Sequence, residues 1–211
     1  MPDNISNKWQ RQEKESAADK VRGQIVPQPP MSERLDLAKR KLQEQVQHLE
    51  RVSQRLAEKD KKLYEKMVKA YGEHDIERAQ LLANELAELR KIEQKTQYGK
   101  CALESAYTRI EMAKDFGDMV AALAPVGQVV KSVKGTLGEF LPSSDAALGE
   151  LSGIMNDTLV SFSNITGESM ITESVSEDAE KILKEAAAVA ESRLKDKLPG
   201  AGTDLPLTDT Q

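Results

Sequence analysis

The chain has a single cysteine, Cys101, among 211 residues. No disulfide framework is open to it, which fits a reducing compartment. Aromatic residues are only 4% of the sequence, against 31% charged residues. That is too little bulky apolar material for a broad globular core, but enough Leu, Ala, Val and Met for helix seams. Runs of alternating β-branched residues do not occur, which argues against a sheet. No stretch of ~18 consecutive apolar residues is present, so nothing reads as a membrane span. The N-terminus lacks the apolar stretch of a secretory signal. Without export, the Asn-X-Ser/Thr triplets at Asn4, Asn156 and Asn164 are chance matches. The expectation is an all-α protein, cytoplasmic or peripheral on the inner face of the cell membrane.

Catalytic signatures are scarce as well. The two histidines, His48 and His74, have no cysteine or carboxylate cluster at metal-ligand spacing and are expected to face solvent. Neither a strained nucleophile turn nor the Gly-Lys-Ser/Thr ending of a phosphate loop is visible. The many carboxylates fall on amphipathic helices, where solvation explains them. The sequence gives no reason to expect an enzyme, a metal or a cofactor.

What the chain does have is a leucine at every seventh residue: Leu35, Leu42, Leu49, Leu56 and Leu63. Such a repeat marks a long helix that buries a narrow seam against another helix. Ser32, after Pro30, is the expected N-cap. Gly72 is the expected stop, in the left-handed conformation. About 40 residues at 1.5 Å each make this helix about 60 Å long. Asp75 is placed to cap a second helix with Leu82, Leu86 and Leu89 on heptad spacing, interrupted by Thr96 and Lys100. The short connection makes the two helices antiparallel neighbours. The second helix is expected to reach Ala124, where Pro125 and Gly127 break it. An unbroken helix past Tyr107 would mark an open form, and a bend at Gly99 a closed one.

Shorter helices follow. Val126, Val130, Val133 and Leu137 share one face; Leu148, Leu151, Met155, Leu159 and Phe162 share another, after a Ser143-Ser144-Asp145 capping stretch. Residues 163–176 read as a linker, with Ser174 and Glu177 as a capping box for a last helix. That helix carries Leu183, Ala186, Ala190 and Leu194 on one face. The expected organisation is an arm over residues 1–30, a helical core over 31–165 and an acidic tail over 166–211.

The charge is polarised. Residues 1–70 hold 16 Lys/Arg against 11 Asp/Glu, and residues 136–211 hold 5 against 14. A basic front and an acidic back can attract each other in cis or meet separate partners. In the arm, Trp9 lies between Lys8 and Arg11, four residues from Ile5. A helical turn there would suit the interface of an anionic bilayer; packing of Trp9 back on the helices is the alternative. Lys39, Arg40, Lys41, Arg51, Arg55 and Lys62 on the first helix extend the candidate membrane-binding set, each worth about 1 kcal/mol near an anionic surface. The basic face has no interleaved aromatics and the whole chain is net acidic, so anionic membrane is favoured over nucleic acid, and no nucleic-acid partner is expected.

The order of parts resembles the ESCRT-III superfamily, and most of all its archaeal cell-division branch, the CdvB proteins, over about residues 8–165. The resemblance is carried by the Trp9-bearing arm, the Pro-rich entry to a basic helix and the short hairpin turn. More specific are His74 to Glu77, Ala83 to Lys91, Phe116-Gly117-Asp118, Ala124-Pro125 and Leu137 to Pro142. It implies a subunit that switches from a closed monomer, with C-terminal helices folded on the hairpin, to an open form. The open form would polymerise with itself and with paralogous subunits into filaments on anionic membranes, constricting necks in division or budding. The resemblance places the protein at the division site and implies an AAA ATPase that grips C-terminal motifs through an MIT domain. Arg193-Leu194 and Leu198-Pro199 resemble parts of the known motifs, and Leu205-Pro206 the proline-containing type. The expected ATPase-binding residues are therefore Leu194, Leu198, Pro199, Leu205 and Pro206. Neither motif is complete, and no winged-helix module is present, so recruitment is expected through a paralogue or directly through lipid. A membrane-protecting coat like phage-shock protein A and a soluble coiled-coil scaffold are the alternatives.

Overall fold

A computed structural model describes residues 30–116, 119–166 and 172–197, with side chains at 30–112, 123–161 and 175–197. The arm, with Lys8, Trp9 and Arg11, and the tail from Leu198 on, with Pro199, Leu205 and Pro206, lie outside the described residues. The described chain forms five helices and no strands: α1 (Met31–Gly72), α2 (Ile76–Phe116), α3 (Met119–Leu137), α4 (Pro142–Thr166) and α5 (Thr172–Lys197).

Helices α1 and α2 form the antiparallel hairpin that the leucine repeat predicts. Leu35, Leu42, Leu49 and Leu86 are buried, whereas Leu56, Leu63, Leu82 and Leu89 are half-buried. The seam therefore thins along its length. Beyond Ser53 on α1 and before Glu93 on α2, the buried residues are Asp60, Ala70, Ala79 and Leu86. The other end is thick, because three more helices close over it. Helix α3 lies against α2, α4 against α3 and α1, and α5 against α2 and α3. One core joins Leu103, Ile110, Val130, Val133, Leu148, Met155 and Ile182.

Several helix boundaries differ from the expected ones. Helix α1 starts at Met31, with Pro30 as N-cap and no side-chain cap bond. Ser32 is two residues too late, because Pro30 already accepts backbone N–H bonds from Glu33 and Arg34. Gly72 stays helical, and the left-handed residue is His74, with φ of 59°. Asp75 does cap α2: its Oδ1 accepts the Arg78 N–H at 3.2 Å.

The second helix ends at Phe116, and Pro125 sits inside α3 instead of ending a helix. A proline in a helix interior costs about 3 kcal/mol. Leu123, Ala124, Val126, Val129 and Val130 around it are all buried, and apolar burial of that extent outweighs the cost. Helix α4 begins at Pro142, a favoured first helical residue, so Ser143, Ser144 and Asp145 lie in its first turn. The last helix starts at Thr172, which puts Ser174 and Glu177 inside it and shortens the expected linker.

Helix α2 is unbroken past Tyr107, yet α3 and α5 are folded against it. Helix continuity therefore does not separate closed from open. The reversal falls after Phe116, and Gly99 has a different use. A Cβ at Gly99 would lie 2.8 Å from Leu137 Cδ1 and 3.3 Å from Val133 Cγ1. The missing side chain lets α3 approach α2 closely.

Candidate functional site

Inside the hairpin, the apolar seam gives way to a polar layer. Ser53 Oγ donates to Glu93 Oε1 at 2.7 Å and lies 3.4 Å from Gln97 Oε1. All three residues are buried. Glu93 Oε2 and Gln97 Nε2 have no hydrogen-bond partner. Two turns along α1, Asp60 is 1% exposed and accepts from Arg90 Nε at 2.6 Å and Arg90 Nη2 at 3.2 Å. The fork geometry matches the carboxylate with two parallel bonds.

Burial pushes the Glu93 carboxyl above its ordinary pKa, helped by Asp60 and Glu50 and opposed by the Ser53 hydrogen bond and Lys197. The fold therefore favours the protonated form. That contribution is complete below the ordinary glutamate pKa and is lost as pH rises through the raised value. Glu93→Gln keeps an oxygen to accept from Ser53 and removes the charge. The variant is expected to melt above the wild type at pH 8 and to converge with it near pH 4. Parallel melting curves across that range would show that Glu93 is not held against its charge.

At the thick end, α5 is held by small residues and two cations. Ala179, Ile182, Ala186, Ala190 and Leu194 are buried. Arg193 Nη1 donates to Glu104 Oε2 at 2.9 Å and reaches Cys101 Sγ at 3.5 Å. Lys197 Nζ lies 4.0 Å from Glu50 Oε1. Glu50 also accepts from Lys100, which is 3.7 Å from Glu104. The Lys100 bond is the largest cause of the lowered Glu50 pKa. The ion pairs between α5 and the hairpin run opposite to the net charges of the two segments. Cations of α5 meet carboxylates of the hairpin, while Glu177, Glu180, Glu185 and Glu191 stay exposed. The acidic residues of α5 fall on the face opposite its alanine seam, so packing that seam turns them outward.

Of the candidate membrane residues that are described, two are engaged within the fold and four are exposed. Lys39 pairs with Glu111 at 3.0 Å and lies 5.2 Å from the Tyr107 ring centroid. Its bond to Glu111 raises its pKa. Lys41 pairs with Glu150 of α4 at 2.8 Å. Arg40, Arg51, Arg55 and Lys62 are exposed. Lys39 and Lys41 thus tie α1 to α2 and α4. Arg34 joins them, donating to Ser161 Oγ at 2.7 Å and to the Asp157 carbonyl at 3.3 Å.

His48 is half-buried, with Nε2 3.4 Å from Ser143 Oγ. Burial first, then Arg51 and Arg55, push its pKa down. His74 is exposed. Leu194 faces inward on α5, 8% exposed. Among the described residues no cluster could hold a metal ion, and no helix is long and apolar enough to cross a membrane.

The polar layer is what the sequence reading missed. Ser53 and Asp60 are seven apart and four residues beyond Leu49 and Leu56, so they flank the seam at a constant offset. That repeat was the available signal.

A long hairpin with three shorter helices folded over one end has the all-α form expected of an ESCRT-III subunit. The Snf7 family pattern matches residues 37–138. The chain is 35% identical over 170 residues, 81% of its length and 79% of the relative's, to Cell division protein B1 of Sulfolobus acidocaldarius. It is 25% identical over 159 residues to Cell division protein B of the same organism, covering 75% of this chain and 61% of that one. No solved structure is a significant match. The chain belongs to the Snf7 (ESCRT-III) family, in its CdvB branch.

Proposed function

We propose that this protein is a non-enzymatic, polymerising subunit of the cell-division machinery that remodels membrane at the division site. The observation that carries the reading is its likeness over most of its length to Cell division protein B1. The folded-back arrangement of α3, α4 and α5 on the hairpin supports a closed, stored form. In this reading the subunit opens to build filaments with copies of itself and with paralogues on the inner face of the cell membrane. Residues 1–30 serve as the membrane arm, 31–165 as the assembling core and 166–211 as the regulatory tail.

The exposed cations Arg40, Arg51, Arg55 and Lys62 meet anionic lipid together with Lys8, Trp9 and Arg11. Lys41 joins them once opening frees it from Glu150 of α4, and Lys39 by exchanging Glu111 for a lipid phosphate. An AAA ATPase with an MIT domain takes the filament apart by gripping Leu194, Leu198, Pro199, Leu205 and Pro206. Because Leu194 is packed inward, that grip requires α5 to lift first.

The test is sedimentation of the full chain with vesicles containing phosphatidylserine. Arg51→Glu, Arg55→Glu and Lys62→Glu together remove about 3 kcal/mol of attraction, roughly a hundredfold in partitioning. The wild type is expected to pellet in a salt-sensitive way and the triple variant to stay in solution. Pelleting of both at the level of a neutral-lipid control would leave a scaffold that needs no membrane.

A further inference from the structure

The leucine repeat that builds the hairpin has an ambiguity. Leu35, Leu42, Leu49, Leu56 and Leu63 recur every seven residues, and such a seam is complementary to itself. It would serve a pair of α1 helices from two chains as well as it serves α1 against α2, since leucine contacts carry no address. We infer that the buried polar layer supplies that address: it commits the α1 seam to its own α2 and rejects the same seam on a second copy of this chain.

The bonds that build the layer run between unlike helices. Ser53 of α1 donates to Glu93 of α2 at 2.7 Å. Asp60 of α1 receives the Arg90 fork from α2. Ser53, Asp60, Glu93 and Gln97 are each at most 1% exposed, so none can turn to water while the hairpin is closed. In a parallel pair of α1 helices, Asp60 would meet Asp60 of the other chain, and its cation would be left behind on α2. Buried carboxylates without a partner cost several kcal/mol.

Stability does not account for the layer. Two of its polar atoms, Glu93 Oε2 and Gln97 Nε2, have no partner, and apolar side chains of similar volume would pack there at no loss or a gain. A discriminating role explains why it sits in the middle of the leucine seam. The role needs neither lipid nor filament, so it stands or falls apart from the membrane reading.

The test uses the full chain with Cys101→Ala and Leu56→Cys, which places one thiol in the seam. Parallel pairing of two α1 helices brings the two thiols together. A mixture of Leu42→Cys and Leu56→Cys chains reads the antiparallel pairing, which would centre on Leu49. Each is refolded from denaturant in three versions, oxidised, and assayed for covalent dimer on a non-reducing gel. The versions are the native layer, the apolar layer Ser53→Ala/Glu93→Leu/Gln97→Leu, and the apolar pair Asp60→Leu/Arg90→Leu.

The apolar versions are expected to keep their helical signal and melting temperature and to give at least about tenfold more covalent dimer than the native layer. Equal dimer in all versions, whether none or abundant, overturns the inference. Loss of helical signal in both apolar versions also overturns it, because the layer would then be needed for folding itself.

Discussion

Ala186→Glu is expected to raise the rate at which Cys101 reacts with a thiol reagent by about a hundredfold. Ala186 is 1% exposed and Cys101 3% exposed, and both line the shallow groove where α5 crosses α2, beside Glu104 and Arg193. A carboxylate at position 186 would be buried against small side chains, next to Glu104 and with no cation of its own. The cost of such a charge is about 3 kcal/mol or more, and α5 has little with which to oppose it. Three of the five buried residues of its seam are alanines, Ala179, Ala186 and Ala190, so few methylene groups are lost when it lifts.

Two effects then act on the thiol in the same direction. It gains access, and the burial that raises its pKa is relieved, so more thiolate forms at neutral pH. Loss of Arg193, which pulls the other way, offsets part of this gain. The measurement is the labelling rate beside far-ultraviolet circular dichroism, which should retain the hairpin signal. An unchanged rate would mean that α5 is not what shields Cys101.

Arg90→Met carries the largest expected loss of stability, about 3–5 kcal/mol in a urea titration. Asp60 would remain 1% exposed without its two hydrogen bonds, and an unpartnered carboxylate there has no route to water short of splaying the hairpin. Arg90 itself is 26% exposed at its side chain, so the reverse truncation, Asp60→Ala, is expected to cost less. Removing both partners with Asp60→Leu/Arg90→Met should restore the midpoint to the wild-type value or above it. If Arg90→Met and the double variant unfold alike, the fork contributes nothing beyond side-chain volume. A loss of 3–5 kcal/mol is a large share of the 5–15 kcal/mol typical of a domain.

The parts of this architecture that a single helix can encode were legible in the sequence. Seven-residue leucine spacing predicted the hairpin, and Asp75 capped where an aspartate after a turn is expected to. What could not be read required a neighbour. Pro125 stops an isolated helix, but the valines around it are buried by other helices, and that burial carries the helix through. Thr96 and Lys100 read as interruptions of the seam. Thr96 is buried, with its hydroxyl bonded to the Ile92 carbonyl at 2.8 Å, while Lys100 finds Glu50 across the hairpin.

Charge summed over segments does not say which residues of α5 make contact. Its excess of acid lies on the outer face, while the contact is made by Arg193 and Lys197 at its end. Net charge counts residues, whereas a contact depends on which ones point inward.

The unequal thickness of the molecule has a consequence for how copies can be placed. From Ser53 to the turn and back to Glu93, the hairpin is two helices with little buried between them. At 1.5 Å per residue, the stretch from Ile76 to Glu93 is about 25 Å long. A neighbour laid along this bare arm would displace none of α3, α4 or α5. In the proposed reading, first contact between subunits and the opening of a subunit would then be separable events, and a closed chain could be counted into a row before being committed to it.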